Sequence, residues 1–194
     1  SGTINLNNNS SVTFSGNSAG FRGGAIYTEG NLSIRNNDSV LFEKNAEITN
    51  GIYRLRSVYA GKYHLSGSEI SLSAAEGKSI EFRDSVYISS GSIVELNADY
   101  TDAAGVVHKQ TGDIIFTGKY TEQHLNELLS AAGEERTATE SEVLSSRTSV
   151  VSSVINLYGG RLRVEDGAVL DCAGLIAAAG SGATLRVKDA ELSH

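Results

Sequence analysis

The residues of this 194-residue chain with side chains suited to chemistry are four histidines, one cysteine and dispersed carboxylates. His64, His108, His124 and His194 stand far apart, with no companion at metal-ligand spacing, and read as surface or loop histidines. Cys172 is alone, so neither an intrachain disulfide nor a cysteine-based metal site can form. Its context, Ala168-Val169-Leu170-Asp171-Cys172-Ala173, suits a small buried hydrophobe. Serine is plentiful, but no Gly-x-Ser-x-Gly elbow singles out a nucleophile. The glycine-rich stretches Gly20 to Gly24 and Gly180 to Gly182 lead to no phosphate-loop lysine and read as turns. Neither matches a calcium-binding nonapeptide, so Asp84, Asp166 and Asp189 are expected to make bends. No residue earns a catalytic, cofactor-binding or metal-binding assignment.

One enzymatic arrangement remains as an alternative. Polygalacturonases are similar to one another in an Asn-x-Asp, an Asp-Asp, a Gly-His-Gly and an Arg-x-Lys in that order. Here Asn36-Asn37-Asp38 and Arg186-Val187-Lys188 match the outer two, and the two inner motifs are missing. Inverting glycoside hydrolysis requires a paired acid and base about 6.5–9.5 Å apart. No such pair is evident, so a polysaccharide-acting enzyme is the second reading, and a self-associating stalk the third.

The elements that would position any site are short and repetitive. Ile4-Asn5-Leu6, Val12-Thr13-Phe14, Leu32-Ser33-Ile34 and Val40-Leu41-Phe42 alternate apolar and polar residues, each run closed by Asn, Ser or Gly. They predict strands of about three to five residues. Phe14-Ser15-Gly16-Asn17 returns as Phe42-Glu43-Lys44-Asn45, 28 residues later, around Gly23-Gly24-Ala25-Ile26. A broader signature places two apolar residues one apart before a charged residue and Asp or Asn. It occurs at Leu32-Ser33-Ile34-Arg35-Asn36, Ile80-Glu81-Phe82-Arg83-Asp84, Leu162-Arg163-Val164-Glu165-Asp166 and Leu185-Arg186-Val187-Lys188-Asp189. Such recurrence predicts an all-β parallel solenoid, a single domain over residues 1–194, with Phe inside and Asn and Gly at the corners. The net charge of −7 is spread without blocks, which argues against nucleic acid as a partner. No apolar run is long enough to insert this segment in a membrane. The chain contains no Met and reads as an excised or processed piece of a longer one.

One stretch breaks the rhythm, at residues 120–147. Thr121 is placed as a cap, Leu125, Leu128 and Leu129 follow at helical spacing, and Gly133 stops the run. A second short helix is expected from about Thr139 to Ser146, with Val143 and Leu144 as its apolar residues. This helical insertion is one candidate contact region. Tyr53, Arg54, Arg56, Tyr59 and Tyr63 are the other, since Tyr and Arg favour recognition surfaces, although alternation also allows some of these tyrosines to point inward.

Phe14, Asn17, Gly23, Gly24, Ala25, Ile26, Phe42 and Asn45 together resemble the paired Phe-x-x-Asn and Gly-Gly-Ala-Ile repeats of the chlamydial polymorphic membrane proteins and related bacterial autotransporter passenger domains. The resemblance covers about the first quarter of the chain. After Asn45 the motif decays: Phe82-Arg83-Asp84-Ser85, Phe116-Thr117-Gly118-Lys119 and Gly159-Gly160-Arg161-Leu162 are degenerate copies. The resemblance implies a right-handed parallel β-helix, exported across the outer membrane by a C-terminal barrel outside this sequence. It also implies a place at the bacterial cell surface or in the secreted fraction, no cofactor, and adhesion to a host-cell receptor or glycan. Neighbouring coils of the parent passenger would be its other partners.

Overall fold

The structure, a computed structural model, describes residues 2–61, 68–172, 176–178, 182–188 and 190–193. Its strands stack in three parallel ladders, each of six strands among the described residues. The first ladder runs from Thr3–Asn7 through the first halves of Asn31–Glu43 and Glu69–Phe82 to Ile93–Leu96, Ile155–Leu157 and Ile176–Ala178. The second runs from Val12–Ser15 through the second halves of the same long strands to Asp113–Thr117, Arg161–Glu165 and Thr184–Lys188. The third joins Ile26–Thr28, the end of Ile52–Ala60, Ser85–Ile88, Thr148–Val151, Val169–Cys172 and Glu191–Ser193. The chain visits first, second and third ladder in that order and repeats the circuit, so each pass lies on the one before. Three strands are clearly longer than the sequence predicts: two, of 13 and 14 residues, because the backbone turns from the first ladder into the second without leaving extended pairing, and Ile52–Ala60, of nine residues, because a hairpin strand runs on into the third ladder. Register shifts around Asn37, beside a left-handed Asn36, mark that bend.

Alternation explains the core. Leu32 and Ile34 lie over Ile70 and Leu72, and these pair in register with Val94 and Leu96, all at most 2% exposed. In the second ladder Phe14, Phe42, Phe82 and Phe116 form a column with ring centroids 4.8, 4.9 and 5.1 Å apart. Those separations approach the ~4.8 Å between neighbouring strands, so the backbone ladder itself sets the stacking. Val164 and Val187 continue the register above Phe116. Cys172 lies in the third ladder's interior in register with Val151, 1% exposed, with burial pushing its thiol up to about 11.

The corners correct one expectation. The left-handed residues are Gly16 and Lys44, one position before Asn17 and Asn45. The two asparagines spend their amides between passes: Asn17 Nδ2 donates to Asn45 Oδ1 at 2.8 Å, and Asn45 Nδ2 donates to the carbonyl of Phe14 at 2.9 Å. Asn45 is fully buried, and these bonds satisfy groups that the corner removes from ladder pairing. Gly24 follows from the same crowding, since a Cβ there would meet the backbone nitrogen of Ala46 at 2.4 Å.

Among the described residues three excursions leave the stack. Ala46–Thr49 pairs antiparallel with the start of Ile52–Ala60, between the second and third ladders of the second pass. At the equivalent place in the fourth pass come helices α1, Thr121–Ala131, and α2, Glu140–Arg147. A small antiparallel arm, Tyr100–Thr101 with Val107–His108, separates the first and second ladders of that pass. Thr121 is the first helical residue of α1 and not its cap; Tyr120 precedes it without a side-chain capping bond. Thr139 caps α2 in a reciprocal box with Glu142.

Candidate contact surface

The hairpin of the second pass and the helices of the fourth meet outside the main stack and form a lobe. Leu55, Leu125 and Leu129 are fully buried there, Tyr53 is 7% exposed, and Ile48, Leu128, Ala138 and Val143 pack around them. Polar groups lock the contact. Glu142 accepts from the Tyr53 backbone at 3.2 Å and takes the Arg136 guanidinium through both carboxylate oxygens, at 2.8 and 2.9 Å. Ser146 Oγ accepts from the Leu55 backbone at 2.9 Å. Arg136, followed by the Thr139 and Tyr53 donors, holds the Glu142 carboxyl down to about 2 against its partial desolvation. At the other edge Lys44 pairs with Glu127 at 2.8 Å, Arg83 lies over the Tyr120 ring, and Tyr120 stacks on His124. His124 is buried in the lobe and not a surface histidine, and burial together with Lys44 lowers its pKa.

The proposed contact stretch at Tyr53 to Tyr63 therefore needs revision. Tyr53 and Tyr59 are each 7% exposed, and Arg54 and Arg56 both bond Glu47. Packing against the lobe and the third ladder consumes most of their surface, a consequence of the insertion folding back 89 positions later. Tyr63 and His64 lie outside the described residues. What the lobe presents outward is its far side, where Glu122, Glu135, Glu140 and Ser141 are exposed and Leu144 is 60% exposed.

A second surface was not evident in the sequence. Tyr27, Tyr59 and Tyr87 share one register on the outside of the third ladder, with ring centroids 5.9 and 4.5 Å apart. Arg22 lies over Phe21, Tyr27 and Tyr59, and Tyr27 donates to Glu29. Phe21 is 67% and Tyr27 44% exposed, so this strip keeps apolar area in solvent. The signal was the 28- to 32-residue interval between the tyrosines, legible only once pass lengths are known.

The residues of the enzymatic alternative are not brought together. Asn37 is buried, where it donates to the Leu6 carbonyl, and Asp38 pairs with Lys78 at 3.4 Å. Arg186 lies on the last described strand of the second ladder, four strand spacings from the second pass, or about 19 Å at ~4.8 Å each. Among the described residues no group of three His, Cys, Asp or Glu could hold a metal ion. Of the three bend aspartates, Asp166 has a left-handed backbone, Asp84 does not, and Asp189 lies outside the described residues. No helix among the described residues is long and apolar enough to cross a membrane.

The chain matches no family model and no solved structure. Over 172 residues, 87% of its length, it is 31% identical to the probable outer membrane protein pmp13 of Chlamydia pneumoniae. It spans 16% of that relative, so the likeness is to one segment of a much longer protein.

Proposed function

We propose that this chain is a segment of a passenger in the group that includes pmp13: a right-handed parallel β-helix carried to the bacterial surface and acting as a non-catalytic adhesin. The observation that carries the reading is the stack of three parallel ladders with its large excursions gathered at one corner. A rigid stack can continue at both ends, while a lobe at one edge offers a lateral surface for a host-cell receptor or glycan. Export across the outer membrane and surface or secreted localisation come to this chain through its likeness to an outer membrane protein. The outer side of α1 and α2 is the contact region within this reading.

The test compares adhesion of the 194-residue chain to cultured epithelial cells with that of a form lacking residues 121–147. Because deletion uncovers Leu55 and Tyr53, a second variant, Leu144→Glu, changes the outer side alone. Saturable binding that both changes reduce supports the adhesin reading. Binding no greater than an unrelated control protein overturns it in favour of a stalk, and release of reducing ends from polygalacturonan overturns it in favour of an enzyme.

A further inference from the structure

Away from the lobe, an open hollow of ≈ 640 Å³ lies between the foot of the fourth pass's antiparallel arm and the outside of the first ladder. One wall belongs to the stack: Glu95 from Ile93–Leu96, and Tyr158, just beyond Ile155–Leu157. The other belongs to the foot of the arm, Asp99 and Lys109. The floor is Asn97, 1% exposed, in a left-handed turn. Its side chain ties three passes together, accepting from the Ala74 backbone at 2.9 Å and donating to the carbonyls of Gly112 and Gly159 at 2.9 and 3.0 Å. A floor pinned this way is formed before any ligand arrives, which lowers the entropy cost of binding.

The groups around the hollow alternate in character. Tyr158 is 38% exposed and offers an apolar ring. Its hydroxyl donates to Glu95 at 3.2 Å, the only hydrogen bond to the Glu95 carboxylate among the described residues, so most of that carboxylate's accepting capacity is free. Asp99 pairs with Lys109, and the ammonium side chain remains 75% exposed with further donors to offer. The hollow thus combines an aromatic surface, two carboxylate acceptors and one cationic donor, within the size range of small-molecule sites, about 300–1,000 Å³. One carboxylate is in excess, which disfavours an anion.

We propose that this hollow is a binding site for an uncharged saccharide, whose C–H face lies on Tyr158 while its hydroxyls donate to Glu95 and Asp99 and accept from Lys109. The site is separate from the lobe and does not depend on it for adhesion. Its test is saturation-transfer NMR and titration of the 194-residue chain with lactose, maltotriose and N,N′-diacetylchitobiose, with 3′-sialyllactose as the anionic counterpart. At least one neutral sugar is expected to bind with millimolar or better affinity, and the sialylated sugar about tenfold more weakly than lactose if lactose is that sugar. Tyr158→Ala is expected to weaken binding about tenfold and Glu95→Gln about threefold. Both side chains stand on the outer surface, and the thermal midpoint of each variant reports folding independently. No transfer signal from any neutral sugar at about 10 mM overturns the proposal. Retention of full affinity in both variants, or tighter binding of the sialylated sugar than of any neutral one, does so equally. Sugar binding without cell adhesion leaves this site standing and removes only the adhesin reading.

Discussion

The stack and the lobe each bury a carboxylate, Asp84 in the one and Glu142 in the other, and these two are shifted in opposite directions. In the stack, Asp84 is 3% exposed, and its Oδ2 accepts from the backbone and side chain of Asn45 at 3.0 and 2.9 Å. Among the described residues its Oδ1 has no hydrogen-bond partner and no cation pairs with it, so burial outweighs the Asn45 and Lys44 donors and pushes it up to about 7. In the lobe, Glu142 is 5% exposed but meets a guanidinium and several donors, and is held down to about 2. Burial alone does not decide whether a carboxylate is neutral; what it is buried against does. At this corner of the stack the Asn17–Asn45 hydrogen-bond column ends in an acid where an amide would continue it, whereas Asp113, also buried in the stack, is held by Arg161 and Arg163. The lobe is built around a satisfied ionic junction.

The largest expected effect is on the stack's interior. Phe82→Ala removes the middle of the phenylalanine column and is expected to cost about 3–5 kcal/mol in urea unfolding monitored across the whole chain. Loss of less than ~1 kcal/mol would break the view that the column is a continuous core. Next comes Leu129→Ala in the lobe, where Leu129 is fully buried, with a cost of about 2–4 kcal/mol. Its signature is regional: amide exchange rises over 121–147 and 46–55, while the three ladders stay protected.

The pH dependence sharpens the contrast. Asp84 has a folded pKa above its ordinary 3.8, so its contribution is fully present below that value and fades as pH rises towards about 7. Asp84→Asn restores an amide to the column, and is expected to raise stability at pH 8 by about 2 kcal/mol while flattening the fall between acid and neutral pH. A variant less stable than the parent at pH 8 would show that the ionised carboxylate is accommodated after all. Glu142 has the reverse sign: its folded pKa lies below the ordinary 4.5, so its contribution is complete above 4.5 and is lost as pH falls towards about 2. Glu142→Gln is expected to cost about 1–2 kcal/mol at pH 7 and to remove the acid-side loss, read from lobe amide exchange between pH 3 and 6. An unchanged acid profile would assign that loss to other carboxylates.

Much of the architecture was legible in local pattern. Alternation at Leu32-Ser33-Ile34 and Val40-Leu41-Phe42 marks an inward face, and the 28-residue return of Phe-x-x-Asn places one pass on the next. The helical insertion was legible because period 3.6 and a stopping Gly133 act within a dozen residues, although the cap expected at Thr121 is not one. The later rows were harder. Phe82 and Phe116 continue the column although their surrounding motif has decayed, because the interior selects a ring at that register and the corner residues are free to vary. The candidate surfaces were least legible: Tyr53 and Tyr59 carry recognition chemistry, yet the fold packs them away.

The sequence by itself determined the strand periodicity, the parallel stacking and the place where helices interrupt it, since each rests on residues near in the chain or repeated at constant interval. Only the tertiary structure decided which polar residues are inside and which surfaces stay open. Asn45 meets Asp84 39 positions away, Tyr53 meets Glu142 after 89, and Tyr158 meets Glu95 after 63. Passes of unequal length make such meetings invisible to any local period. Burial, and with it charge state and accessibility, is a property of the neighbours that the stack supplies.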